Sequence, residues 1–299
     1  MQKTNSAEKK SAILLYILIA YSITWLCWIP TLLASTSAGY NLPNINTYET
    51  LFKTGFTDSR HLLISIIFQL GVYGPLIGAL AATALENGEP GLQELWRRIS
   101  KWHIPLRWYG LALALTFLMA FIPVAVFAIA GGLSPSSITF PLLLFVLAVQ
   151  LLTSGLGEEP GWRGYLLPRL QARFSAENTI WILGLIWAVW HYPLVILQTM
   201  TAMHDVSLLP AIITILTSLA GMTMSQIGIS YLYVWLFNHT HSIFLMIVFH
   251  AFSNLFSLWL PTFLKNPQSA TLLVALMPWL LVVILQKKLG KGHFPGQKT

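Results

Sequence analysis

Charge is what this sequence has least of. Only 9% of its 299 residues are Asp, Glu, Lys or Arg, against roughly a quarter in a soluble domain, so a soluble globular fold is excluded. Cys27 is the single cysteine, which rules out an intrachain disulfide and a disulfide-stapled scaffold. No Pro/Ser-rich linker, low-complexity tract or internal repeat divides the chain. Glycine follows no fixed period, and a hydrophobic fraction of 56% is too high for disorder. The Walker loop, the dinucleotide-binding glycine pattern, HExxH and zinc-knuckle spacings are missing, so nucleotide-binding and zincin readings have no support. Acids are also scarce, 10 against 17 Lys and Arg, a formal charge of +7. The long apolar runs assign that excess to membrane topology, and no nucleic-acid partner is expected.

Those runs are the dominant feature. A helix needs about 20 apolar residues to cross a bilayer, and eight runs qualify, near 12–34, 61–85, 108–130, 140–157, 179–200, 208–237, 242–262 and 270–286. The expected fold class is all-α: a polytopic membrane protein with about eight transmembrane helices, forming one integral membrane domain over 1–299. Run 208–237 is long and contains Gly221 and Gly228, which leaves open one tilted or broken helix, or a span followed by an interfacial piece. The first run follows a basic stretch, as a signal peptide does, but extends over roughly 22 residues without a small-residue cleavage site and reads as a retained span.

Basic residues set the orientation. With eight spans, one side holds Lys3, Lys9, Lys10, Arg97, Arg98, Lys101, Arg107, Arg163, Arg169, Arg173, Lys287, Lys288, Lys291 and Lys298, and the other only Lys53, Arg60 and Lys265. Both termini are therefore expected in the cytoplasm. The stretch from Glu94 to Trp102 mixes aromatic and basic residues and suits an interfacial helix on anionic lipid, or a plain stop-transfer loop.

Ionisable residues inside spans are costly and mark cavities. Three stretches stand out. The first is Gly157-Glu158-Glu159-Pro160-Gly161-Trp162-Arg163 at the end of the fourth run. Pro160 predicts a break or kink at the carboxylates, placing both near exposed backbone amides. Glu159 and Arg163, four apart, can pair on one helical face, leaving Glu158 free as a general base; the bland alternative is a charge cluster that ends the span. The second is Trp187-Ala188-Val189-Trp190-His191, which puts His191 about 18 Å along its span. The third is His250-Ala251-Phe252-Ser253-Asn254, whose polar groups share a face at depths of roughly 12 and 18 Å. Matching depths predict a shared polar cavity facing the cytoplasm. His61, His103, His204, His239, His241 and His293 fall in loops, turns or span ends and read as ordinary.

Glu158-Glu159-x-x-x-Arg163, an aromatic four residues before His191, and His250-x-x-x-Asn254, in that order, resemble the CPBP family of intramembrane proteases, which includes CAAX prenyl endopeptidases and bacteriocin-immunity-type proteins. The resemblance covers a motif-bearing core at about 140–262, and Tyr73-Gly74-Pro75-Leu76-Ile77-Gly78-Ala79 is similar to the small-residue stretch of the family's second span. It implies an endopeptidase cutting near the cytoplasmic membrane face, with CAAX-type processing of prenylated or other C-terminal peptides among its implied activities, in a bacterial-type plasma membrane. Glu158 would activate water with help from His191, and His250 and Asn254 would stabilise the oxyanion. Glu159 and Arg163 would be supporting, or Arg163 would attract a substrate carboxylate. Trp187 stands where many relatives carry Phe, a change expected to alter cavity shape more than chemistry. The implied partners are a peptide or lipidated protein substrate and membrane lipids. No cofactor is required in the favoured mechanism; were zinc used, Glu158, His191 and His250 would bind it. The alternative is a non-catalytic bacteriocin-immunity or peptide-binding membrane protein using the same cluster. A proton-relay transporter is a third reading, weakened because the polar residues gather toward one face.

Overall fold

Within a bilayer the backbone must satisfy its own hydrogen bonds, and a chain of apolar runs does so as helices. The computed structural model describes residues 6–289 except 137, 204 and 267–269. Lys3, His204, Lys291, His293 and Lys298 lie outside the described residues, as do the side chains of Lys9 and Lys10. In chain order the helices are α1 (Ser6–Ala38), α2 (Tyr48–Thr54), α3 (Ser59–Gly71), α4 (Gly74–Ile99), α5 (Leu106–Gly131) and α6 (Phe140–Gln150). They continue with α7 (Leu156–Glu159), α8 (Leu167–Gln171), α9 (Ala176–Ala202), α10 (Leu208–Thr240), α11 (Ile243–Trp259) and α12 (Thr271–Leu289). No strand forms among the described residues; one isolated bridge joins Leu133 and Leu264.

Every apolar run read from the sequence lies on helix. Among the described residues, six helical stretches are long and apolar enough to cross a membrane, and α3 with α4, bent by 45°, makes a seventh. Beyond these, α12 adds 19 residues of mostly apolar helix. The protein is an all-α, multi-pass integral membrane protein. The ambiguous run 208–237 is one continuous helix, α10.

Motif one departs from expectation. The fourth span continues from Phe140 to Gln171, so its carboxylates lie inside a helix and do not end it. Glu159 and Pro160 both keep helical dihedrals. π-helical turns at Leu151–Gly155 and Pro160–Leu166 flank the four residues of α7. A π turn hydrogen-bonds one residue further back and widens the helix locally, so the proline is housed without breaking it, and side chains are re-aimed at a functional site.

The small residues of this helix allow close packing. A Cβ on Gly157 would lie 2.8 Å from the Val72 carbonyl oxygen, and one on Gly161 would lie 2.6 Å from the Pro75 carbonyl oxygen and 2.6 Å from the Tyr16 hydroxyl. Val72 lies between α3 and α4, Pro75 on α4 and Tyr16 on α1. The stretch Tyr73–Ala79 serves the same purpose on α4, where a Cβ on Gly74 would meet the Ala20 carbonyl at 2.4 Å. Hydrogen bonds then tie three helices: the Trp190 indole donates to Thr24 Oγ1 at 2.9 Å, and Thr24 donates to the Gly71 carbonyl at 2.7 Å.

The amphipathic stretch is helical as far as Ile99. α4 turns at Gly88 (φ 59°, ψ −150°), a left-handed conformation that suits glycine. Beyond it Leu95 and Ile99 are buried while Trp96 is 66% exposed. Gly161→Ala is expected to lower stability by about 1–3 kcal/mol through overpacking against backbone. Gly110→Ala, with nothing within 4 Å of the added Cβ, is expected to be neutral or slightly stabilising; thermal melting of both variants in detergent checks the contrast.

Candidate active site

Three helices bring the three motifs together. The π-flanked α7 supplies Glu158 and Glu159, α9 supplies Trp187 and His191, and α11 supplies His250 and Asn254. Glu158, Trp187, His191, His250 and Asn254 line one cavity of about 310 Å³. Glu158 is 3% exposed, and Glu159 and Arg163 are fully buried. That argues against a juxtamembrane charge cluster.

Arg163 holds the centre. Its Nη1 donates to Glu159 Oε1 at 3.0 Å, as the spacing of four predicts. Its guanidinium carbon sits 4.1 Å from the Trp187 ring centroid and 3.7 Å from that of Tyr233. Nε and Nη2 have no hydrogen-bond partner, so the two ring faces provide the remaining stabilisation of the cation. A guanidinium at zero exposure and absent from the cavity wall is not placed to attract a substrate carboxylate, which corrects that alternative.

Glu159 connects the pair to motif three. The same Oε1 accepts from His250 Nδ1 at 2.8 Å, so His250 turns its Nε2 edge to the cavity. His191 is oriented within its own helix: Nδ1 lies 2.9 Å from the Trp187 carbonyl oxygen. A carbonyl only accepts, so Nδ1 carries the proton and Nε2 keeps its lone pair.

Two features escape the sequence reading. Trp187 does more than shape the cavity: its indole N–H donates to Glu158 Oε2 at 2.8 Å, a bond phenylalanine cannot make. A relay of neutral side chains also lines the wall. Asn254 donates to Gln150 at 2.7 Å, Gln150 and Gln69 donate to the Tyr48 hydroxyl at 3.4 and 3.2 Å, and Gln69 donates to the Pro43 carbonyl at 2.9 Å. Gln69 and Gln150, within apolar runs, were the available signal.

The cavity's direction also differs from expectation. The sequence reading has it opening at the end of the bundle where the chain begins. There Tyr16, Trp162, Arg163 and Tyr165, all fully buried, fill the space beneath the carboxylates. The wall instead includes Pro43, Asn44 and Ile45, from the segment after α1 at the opposite end. For a metal, Glu158, His191 and His250 were the conceivable ligands. Among the described residues no three His, Cys, Asp or Glu side chains converge to hold an ion.

Comparison with known proteins places these residues in context. Residues 139–256 match the family described as type II CAAX prenyl endopeptidase Rce1-like. Over 69 residues the chain is 38% identical to CAAX prenyl protease 2 of Methanococcus maripaludis, a match covering 23% of this chain and about a quarter, 24%, of that protein. Arg163→Gln is expected to cost about 3–5 kcal/mol of stability, because it leaves the Glu159 carboxylate buried without its cation. Adding Glu159→Gln should restore much of the loss, measured by thermal unfolding of both variants.

Proposed function

We propose, on the premise that the motif-bearing core belongs to the Rce1-like CAAX prenyl endopeptidase family, that this protein is an intramembrane endopeptidase hydrolysing its substrate with an activated water. The observation that carries the proposal is the convergence of Glu158, His191, His250 and Asn254 on one cavity.

Each role follows from a hydrogen-bonding state. Water bound between Glu158 and His191 Nε2 loses a proton to Glu158 as its oxygen attacks the peptide carbonyl carbon. The carbonyl oxygen becomes an oxyanion and takes hydrogen bonds from His250 Nε2 and from the second amide hydrogen of Asn254, whose first is committed to Gln150. Donation by His250 requires the charged ring, for which Glu159 at Nδ1 is the counter-charge. When the C–N bond breaks, Glu158 returns the proton to the leaving amine. No covalent intermediate and no metal enter this sequence. Trp187 fixes Glu158 Oε2 and leaves Oε1 for the water.

Entry is proposed through the end marked by Pro43–Ile45. The orientation set by basic residues makes that end the outer face, so cytoplasmic cleavage and cytoplasmic termini separate into alternatives, and we retain the termini. In a Cys27→Ala background, Asn46→Cys, an exposed position, should react with a membrane-impermeant maleimide on intact cells; labelling only after lysis would reverse the orientation.

The chemistry is tested with a quenched fluorescent farnesylated CAAX peptide and detergent-purified protein. Glu158→Gln should abolish cleavage while the fold persists. Trp187→Phe should lower kcat by about 10–100-fold at similar KM, the equivalent of one hydrogen bond to a charged group. Activity that survives a zinc chelator supports the metal-free route, and loss restored by Zn²⁺ refutes it. Cleavage by Glu158→Gln at the wild-type rate would overturn the mechanism.

A further inference from the structure

Away from the cavity, the amphipathic end of α4 forms a second concave site. Glu94, Arg97, Arg98 and Lys101 line a cleft of about 420 Å³ together with Pro168 and Gln171 of α8 and His241 of the α10–α11 turn. Three cations and one acid face a space none of them fills. We infer that this cleft binds the phosphate of an anionic phospholipid headgroup.

Charge is the first argument. Arg97 is satisfied by Glu94, with Nε and Nη2 donating at 2.8 and 2.9 Å. Lys101 spends one of its three donors on the Thr240 carbonyl, at 2.8 Å. Arg98 is different: its side chain is 19% exposed, and its Nε forms an ion pair with Glu94 at 3.4 Å but has no hydrogen-bond partner among the described residues. Two helix C-termini, of α4 and α10, oppose an anion here, each worth about half a negative charge. Three full cations outweigh these half-charges and the single acid. In the same cleft, burial first and then the cations of Lys101 and Arg98 hold the His241 imidazole below the usual histidine range.

Position is the second argument. Trp96 and Trp102 are 66% and 56% exposed beside the cleft, and exposed tryptophans flanking a span sit at headgroup level. An apolar hollow formed by Trp102, His103, Ile104, Leu106, Tyr109 and Phe244, beginning at the residue after Lys101, can receive an acyl chain. A phosphate held by Arg98 with its chain along that hollow satisfies both surfaces, whereas free phosphate satisfies only the first.

Calorimetric titration of the detergent-purified full chain with dioctanoyl phosphatidylglycerol, dioctanoyl phosphatidylcholine and inorganic phosphate tests the site. Phosphatidylglycerol should bind most tightly, and weaken as salt is raised. Arg98→Gln should weaken it about tenfold, the loss of one charge-assisted hydrogen bond. Glu94→Gln, on an exposed side chain, should tighten it about threefold by releasing Arg97, which keeps the test decisive if Arg98→Gln does not fold. Equal binding of phosphatidylcholine, unchanged binding in both variants, or inorganic phosphate binding as tightly as the lipid would each overturn the assignment.

Discussion

A guanidinium taken fully out of water is the constraint around which the rest of this protein is arranged. Arg163 has zero exposure inside a membrane-spanning helix, and an uncompensated buried charge costs several kcal/mol even after relaxation. Compensation comes from three directions at once: a carboxylate on the same helix, an indole face from α9 and a phenol face from α10. Each partner then has a second task. Glu159 aims His250, Trp187 holds Glu158, and Tyr233 forms part of the cavity wall. Stabilising the cation and positioning the polar groups of the cavity are therefore the same act, and the cavity's geometry is tied to a buried ion pair.

That economy explains what could be read from the sequence. Glu159 and Arg163 were legible as a pair because a spacing of four on a helix forces it, and the pair is there at 3.0 Å. The spans were legible because apolar runs of bilayer length have no other way to satisfy their backbone. Proline misled. Its ordinary effect is to end or kink a helix, and a π turn accommodating it depends on register and on neighbours that no local pattern contains. The consequence was large, since an unbroken helix buries the carboxylates that a broken one would expose.

Two other misreadings share a cause. Phenylalanine and tryptophan look interchangeable as apolar bulk, yet only tryptophan has a donor, and its reach to Glu158 depends on how α9 rotates against α7. Gln69 and Gln150 were likewise passed over because an uncharged amide is only a mild outlier in a hydrophobic run. Their importance is collective: through Tyr48 they form a hydrogen-bonded wall from Asn254 to Pro43. Single positions carry little of that signal. The direction of the cavity was lost in the same way, because depth along each helix was inferred while the packing that closes one end was not.

The cavity and the basic cleft meet on a single element. Pro168 and Gln171, in the cleft wall, follow Arg163 on the same uninterrupted helical stretch, at most about 12 Å beyond it at helical rise. Gln171 is anchored to Asn238 at 3.0 Å, and Arg169 pairs with Glu86, so this end is clamped to α10 and α4. A π turn, buried over its whole length Pro160–Leu166, sits between clamp and carboxylates. Glu159, on the near side of that turn, is the group that aims His250. The helix that solves the burial of a charge thus also carries part of the basic cleft's wall.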